Sequence, residues 1–588
     1  MFSAITPAPR LLVAALLVAV LAAPASATAA AVPGPAFAAA PGRVVFAVDG
    51  GGVQPGVDAG GAAFAVALPD GSTLLLGSGR ERGLLYAAKL TLSGAPDPAF
   101  GAGGRMPVLA PQGTALGLRQ VLRQPDGKLL LVGATIPAPT QIAPGRLRVT
   151  RLNADMTVDR SYGGDGTVTT ALGEGCGACT TAALQPDGAL LLSGTTGTVA
   201  PPPAAPNLDW AIARLTPAGA ADASFGVGGI ATIPAPGSTS GFNVALGPGG
   251  TIVADGQSAS GGNARLLLAR LTPSGAPDPS FAGGVPVLLP LSSGFLMLVQ
   301  DDGGVVVGGQ PVSAPTPLPG RQLLARYTAS GAPDASFAGT GLLDLGTSLM
   351  PTQLLAAGGR AVAVVGTPAT AVAPGIAFSP STRLNVRLVS AGGAIAASRT
   401  IELAFGGGGS SFLVSVRPRP LGSLEQNSFI GTRLVPRAGG SFIVPGAVSV
   451  TQPTGEGAGF SIGRFAAAAL TPSLQLDRSF GGPAVRPSVS VRLAVQRAHT
   501  ARTRHGIRIA LRSSAEGLAR ATITAGGRTI ARSLLPVFTT RRSTLPVELT
   551  RYGNTYLRGR HDVRVQVSVT MRDLLTNMRT ASARGRLR

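Results

Sequence analysis

Cysteine, histidine and tryptophan are nearly missing from this chain of 588 residues, which has two, three and one of them. Lysine is scarce as well, with Lys89 and Lys128 standing against 47 arginines. Charged residues make up 13% of the chain and aromatics 4%. Each shortage excludes something. The single pair Cys176 and Cys179 supplies two of the four ligands a structural zinc requires, so no zinc site is expected. His499, His505 and His561 all lie beyond residue 485, so nothing before them can build a histidine-based triad or a His-rich metal site. The scarcity of aromatics interleaved with basic residues argues against a reader of nucleic acid. Long apolar runs are missing too, apart from Leu11 to Ala23.

Glycine and proline are what the chain has in quantity, 83 and 49 residues. Short apolar runs separated by such turn formers describe an all-β protein with many tight turns and no long helices. Residues 1–27 place Arg10 before the apolar run and end in Ala25-Ser26-Ala27, the pattern of a secretory signal peptide. The run is short for a membrane span, so export without a transmembrane anchor is expected. Residues 28–41 are rich in Ala and Pro, show no apolar periodicity and read as a mobile leader.

The remaining order comes from a repeat. TPSGAPDPSF ends at Phe281, and close copies end at Phe100, Tyr162, Phe225, Phe337 and Phe480. Each puts an aspartate three residues before the aromatic: Asp97, Asp159, Asp222, Asp278, Asp334 and Asp477. The wide gap before Asp477 contains a worn copy, Arg387 to Ser398, which makes seven units. A second marker, a turn of the Pro-Asp-Gly type, repeats independently with its glycine at Gly71, Gly127, Gly188, Gly250, Gly303, Gly359 and Gly440.

Each unit parses into four strands. In the second, LRQVLRQ turns at Pro125-Asp126-Gly127 into KLLLVGAT, and RLRVTRLN turns into GTVTTAL. Two hairpins per unit make the sheet of a propeller blade, so seven blades are expected over 42–485. Val44 to Val48, ahead of the first full unit, is a candidate spare strand to close the ring on the last. The repeated residues fit structural work. The aspartate accepts backbone N–H groups across its turn, and the aromatic fills the space between blades. A basic residue stands eight positions before the aspartate in five units, at Lys89, Arg151, Arg214, Arg270 and Arg326. The seventh unit has Ala469 there. An active site does not need six copies of its acid, so no catalytic role is assigned to these aspartates.

The pattern G-x-x-D-x-S-F-G followed by Q-P-D-G-K-L-L-L-V-G resembles the delta-60 repeat family, a β-propeller domain of unknown function in secreted bacterial proteins. The resemblance covers about 64 to 482. It implies a propeller fold and export, and carries no catalytic residues.

Ala/Pro-rich inserts follow the second strand of several units: IPAPTQIAPG, GTVAPPPAAPN, PVSAPTPLPG, PATAVAPGIAFSPS and VSVTQPTGEGAG. Stacked as parsed, they share one face of the ring, where variable loops on a rigid scaffold favour binding. Candidate binding residues there are Glu174, Asp209, Glu425 and the lone Trp210, whose ring either packs a blade or stacks on a sugar. Cys176 and Cys179 sit in a Gly-rich connection and read as a local disulfide in an exported protein. No catalytic residue, metal or cofactor is assigned.

Composition changes at Arg486. Residues 486–588 hold 21 arginines and four acids, a net of +17 out of +22 for the whole chain. Val563, Val565, Val567 and Val569 alternate with polar residues as in a half-buried strand. With SVSVRLAV, GIRIALRS and the hairpin around Gly526-Gly527, a basic β-sandwich loosely similar to immunoglobulin-like modules is expected. Its arginines point to polyanionic partners such as wall polymers, acidic polysaccharide or anionic lipid. The sequence therefore predicts an exported, monomeric, non-enzymatic binding or scaffolding protein at or outside the cell envelope. The alternative is a carbohydrate-active or other hydrolase with paired carboxylates on the propeller face.

Overall fold

The computed structural model describes residues 37–40, 43–46, 62–78, 85–108, 116–135, 146–173, 182–198, 207–260, 263–312, 321–368, 383–403, 427–430, 434–452, 460–481, 488–504, 506–514, 517–537, 543–573 and 578–588. The signal-peptide stretch and most of each Ala/Pro-rich insert lie outside them.

The chain is all-β apart from short helical turns. Apolar runs became strands where Leu, Val and Ala fit a sheet buried on both faces, and turn residues cut them to length. The second unit runs Leu116–Arg123, Leu129–Thr135, Arg146–Leu152 and Thr167–Gly173, antiparallel throughout, close to the parse from sequence. All seven marker glycines have positive φ, from 53° at Gly359 to 89° at Gly127, a region that side chains with a Cβ rarely enter.

Four units form separate four-stranded sheets, beginning at Ala62, Ser238, Leu291 and Leu349. The second and third units join into one eight-stranded sheet through a single residue pair, Gly173 with Thr195. The last sheet of the repeat region combines that region's two ends. Arg43–Phe46 pairs with Phe460–Leu470, matching Val44 to Ala467, and so adds an N-terminal strand to the seventh unit. Phe37–Ala40 pairs in turn with Arg43–Phe46. These four leader residues are thus a strand and not part of a mobile tether: FAAA has no alternation of its own, and ladder bonds to a neighbour supply its order.

Apolar clusters lie between consecutive units and not within single ones. Leu130, Val132, Ala182 and Leu192 join the second to the third, and Phe242, Phe281, Val305 and Tyr327 join the fourth to the fifth. One cluster brings Val44, Leu75 and Tyr86 together with Ile443, Ala467 and Phe480, so the first and last units share a core.

Beyond residue 488 the chain forms two packed sheets. Val489–Leu493, Gly506–Ser513 and Ser543–Glu548 make one. Arg528–Val537, Gly517–Ala525, Val563–Asp573 and Met578–Leu587, in that spatial order, make the other. Ile507, Ile509, Ile523, Val567 and Met571 fill the space between them, in a core that shares no residue with the repeats. Two six-residue helices, Ala498–Thr503 and Arg551–Tyr556, were not foreseen. The second is capped by Thr550, whose Oγ1 accepts from the Gly553 amide.

Val44 is fully buried in the cluster shared by first and last units, so Val44→Asp places a carboxylate there without a partner. A loss of roughly 3 kcal/mol or more is expected in the repeat region. Calorimetry should show that transition shifted down while the melting of the C-terminal sandwich stays in place.

Candidate functional site

The repeated motif is a clasp between neighbouring units. In the fifth, Arg326 Nε donates to Asp334 Oδ2 at 2.8 Å, and Nη2 donates to the Ser336 hydroxyl at 3.0 Å. Its Nη1 crosses to the carbonyl of Ala391 in the sixth unit. Asp334 Oδ1 accepts the Ser336 amide and hydroxyl at 3.0 and 2.6 Å. The Arg326 guanidinium lies 4.4 Å from the centre of the Phe337 ring. The next residue, Ala338, donates its amide to the carbonyl of Gly392 at 2.8 Å. Arg151, Arg214 and Arg270 repeat the arrangement, reaching the carbonyls of Pro217, Pro273 and Ala329, each at 2.6 Å, over Tyr162, Phe225 and Phe281.

Ring and glycine are matched across each seam. A Cβ on Gly331 would come within 3.2 Å of the Phe281 ring and its neighbour, and one on Gly275 within 2.8 Å of Phe225. Positive φ and a ring overhead both demand glycine there.

Burial raises the Asp334 pKa, yet bonds from Ser336 and the charges of Arg326 and Arg360 outweigh it and hold the carboxyl below its ordinary range. Lys128, Ser161 and Arg151 do the same for Asp159, Lys128 most strongly. Asp159, Asp222, Asp278 and Asp334 are thus held as ionised partners of fixed cations and are spent on structure. Asp334→Ala would leave Arg326, whose side chain is fully buried, without its counter-charge. A loss of roughly 3 to 5 kcal/mol is expected by denaturant titration. The double variant Arg326→Met/Asp334→Ala should recover much of it.

Three seams depart from the rule. In the first unit Lys89 replaces arginine and pairs with Asp97 at 3.0 Å and Asp70 at 3.2 Å, and Phe100 is only partly buried, near Met156. In the seventh, where Ala469 takes the basic position, Arg437 arrives from another turn. Its Nη2 reaches the carbonyls of Gly71 and Leu92, and its guanidinium stands 5.7 Å from the Phe480 ring. In the sixth, Arg387 turns back toward the Leu345 carbonyl and the Ser348 hydroxyl at 2.7 and 2.8 Å.

Of the sequence-derived binding candidates, Trp210 is corrected by the structure. It is fully buried between the third and fourth units, its amide bonded to Thr239 Oγ1 at 2.7 Å. Gly241 and Gly256 crowd its indole so closely that a Cβ would come within 2.4 and 3.0 Å of it. No ring face remains for a sugar. Asp209, its neighbour, is exposed on the strand Asn207–Leu215. Glu174, Glu425, Cys176 and Cys179 lie outside the described residues, which hold no group of three or more His, Cys, Asp or Glu placed for a metal.

One buried carboxylate had no sequence signal. Asp255 is fully buried and accepts the Asn243 amide at 2.8 Å and its side-chain Nδ2 at 2.9 and 3.0 Å. Burial pushes its pKa up from 3.8 to about 7 despite those bonds. The folded state therefore keeps a proton that the unfolded chain releases near its ordinary pKa. Stability from this group is full below about 4 and is lost as pH rises toward 7. Asp255→Asn should be flatter across that window, and melting curves at pH 4 and 7 should show roughly 3 to 4 kcal/mol less pH-dependent loss.

The sandwich presents a second kind of surface. On its four-stranded sheet, Val565, Val567 and Val569 face the core while Arg520, Arg532, Arg564, Arg584 and Arg586 are exposed. Arg564 lies directly opposite Arg586, and Gln566 opposite Arg584. Between them and Arg532 lie Thr522, Ser568 and Ser582 in adjacent register. Strand spacing and rise put the arginine corners roughly 20 Å apart. Arg586 is bonded to Asp562 at 2.6 Å. Like charges held opposite each other are unfavourable unless an anion covers them.

Residues 185–225 and 248–281 match the family described as "Domain of unknown function (DUF5122) beta-propeller", which supports a β-propeller family of unknown function. No curated protein matches. Among solved structures, the chain is similar to the polysaccharide lyase Uly1, at 12% identity and a TM-score of 0.38, over 72% of this chain and 91% of that one. Prolyl oligopeptidase B from Galerina marginata aligns at 10% identity and 0.36, over 78% of this chain and 56% of that one. An α-L-arabinofuranosidase from Fusarium graminearum aligns at 12% and 0.31, over 57% and 93%. None is close enough to transfer a substrate or a mechanism.

Proposed function

We propose that this is an exported, non-enzymatic scaffolding protein: a seven-bladed propeller carrying an immunoglobulin-like module that binds polyanions. The arginine face of the C-terminal sheet carries the reading. Five exposed guanidiniums over a floor of hydroxyls suit a linear polymer of carboxylates, sulfates or phosphates, which would displace counterions on binding. The module's first, second and fifth strands share one sheet and its fourth, third, sixth and seventh the other, an order that supports the immunoglobulin-like reading.

Seven closed blades account for the cluster shared by first and last units and for the N-terminal strand in the last sheet. The hydrolase alternative draws no support from the repeat aspartates, because each serves a clasp or a turn. Export rests on the signal pattern of residues 1–27. No helix among the described residues is long and apolar enough to cross a membrane. A monomer at or outside the cell envelope fits this reading.

Retention on immobilised heparin and on polygalacturonate, eluted with salt, tests it. Arg532→Gln/Arg564→Gln/Arg584→Gln should elute at clearly lower salt, with the log–log slope reduced by roughly one per lost contact. Unchanged elution would sink the assignment to this face.

A further inference from the structure

The seam between the sixth and seventh units lacks what fills the other seams. Ile395 occupies the aspartate position and Ser398 the aromatic one, and Arg387 turns back toward the fifth unit. Arg399 crosses instead, donating from Nη1 to the carbonyl of Ser473 at 2.6 Å, the carbonyl equivalent to those of Ala218, Ser274 and Ser330, which in other seams accept the amide of the residue after the aromatic.

An open pocket of about 490 Å³ remains there, within the range of small-molecule sites. Arg399 and Thr400 line it from the sixth unit, Gln475 and Arg478 from the seventh, and Arg43 from the N-terminal strand. Among the described residues its lining includes three arginines and two neutral polar residues, with no Asp or Glu. Elsewhere a repeat arginine meets an aspartate supplied by its own unit. Here Ile395 stands in place of that aspartate, the repeat arginine Arg387 is turned away, and the arginines of the pocket come from other positions.

We infer that this seam is a binding site for a small oxyanion, a carboxylate, sulfate or phosphate carried by a group of about monosaccharide size. Arginine forks suit such anions, and Thr400 and Gln475 offer hydrogen bonds to hydroxyls beside the charge. The site lies in the propeller, on a different domain from the arginine face, and does not depend on it.

Isothermal titration of the full chain with glucuronate, inorganic phosphate and inorganic sulfate, in buffer of constant ionic strength, is the test. At least one should bind saturably at one per chain, and which one does identifies the source of the oxyanion. Arg478→Gln, an exposed side chain, and Arg399→Gln should each weaken that binding about tenfold. Arg532→Gln, on the sandwich, should leave it unchanged while weakening heparin retention. Melting curves of each variant without ligand check that the seam is still formed. If none of the three anions binds at one per chain, or if Arg478→Gln binds as the parent does, the site is refuted, whatever heparin shows. A loss equally large in Arg532→Gln would mean diffuse attraction to a basic protein and would overturn it too.

Discussion

The repeat region depends on a guanidinium with every direction of its fork occupied. Arg326 bonds the carboxylate of its own unit, a serine hydroxyl and a carbonyl of the next unit, while the ring of Phe337 covers its face. Removing such a charge from water is unfavourable unless all its donors are met, and the motif meets them with an aspartate eight positions on, a serine ten positions on and a carbonyl of the neighbouring unit. Most of the apolar burial lies between sheets, so a unit by itself has little core. The clasp fixes the register at which neighbours meet, and the apolar clusters then supply the bulk of the stability.

This division of labour explains which substitutions the repeat tolerates. What is held constant across a seam is a cation beneath the neighbour's turn, and it can come from more than one place. Where Ala469 removes the repeat arginine, Arg437 reaches the same seam from a different turn. Where Arg387 turns back, Arg399 contacts Ser473. The aromatic and the aspartate are both replaced in the sixth unit, at Ser398 and Ile395, and an arginine-lined pocket lies at that seam.

Charge is distributed by the same logic. In the repeats Arg151, Arg214, Arg270 and Arg326 are each matched by an aspartate within the motif, and residues before 486 carry little net charge for their number. The sandwich builds its core largely from Ala, Val and Ile and places arginines outward in excess over its acids, so its surface carries a net positive field. One domain uses its cations internally, and the other presents them.

The sequence by itself determined the all-β class, the repeat period and the turns, because Pro-Asp-Gly fixes a backbone angle locally and a period needs no tertiary information. It also showed the change of composition at Arg486 and the spacing of eight between basic residue and aspartate that made their pairing possible. Tertiary structure decided what depends on residues distant in sequence. Trp210 could pack or stack until Gly241 and Gly256 were seen against its indole. Asp255 looked like any strand residue until its burial beside Asn243 was known. Phe37–Ala40 has no alternating pattern, and its order comes from a ladder that exists only once the two ends of the repeat region meet. Periodicity records which way a residue faces, and only packing determines what lies on the other side.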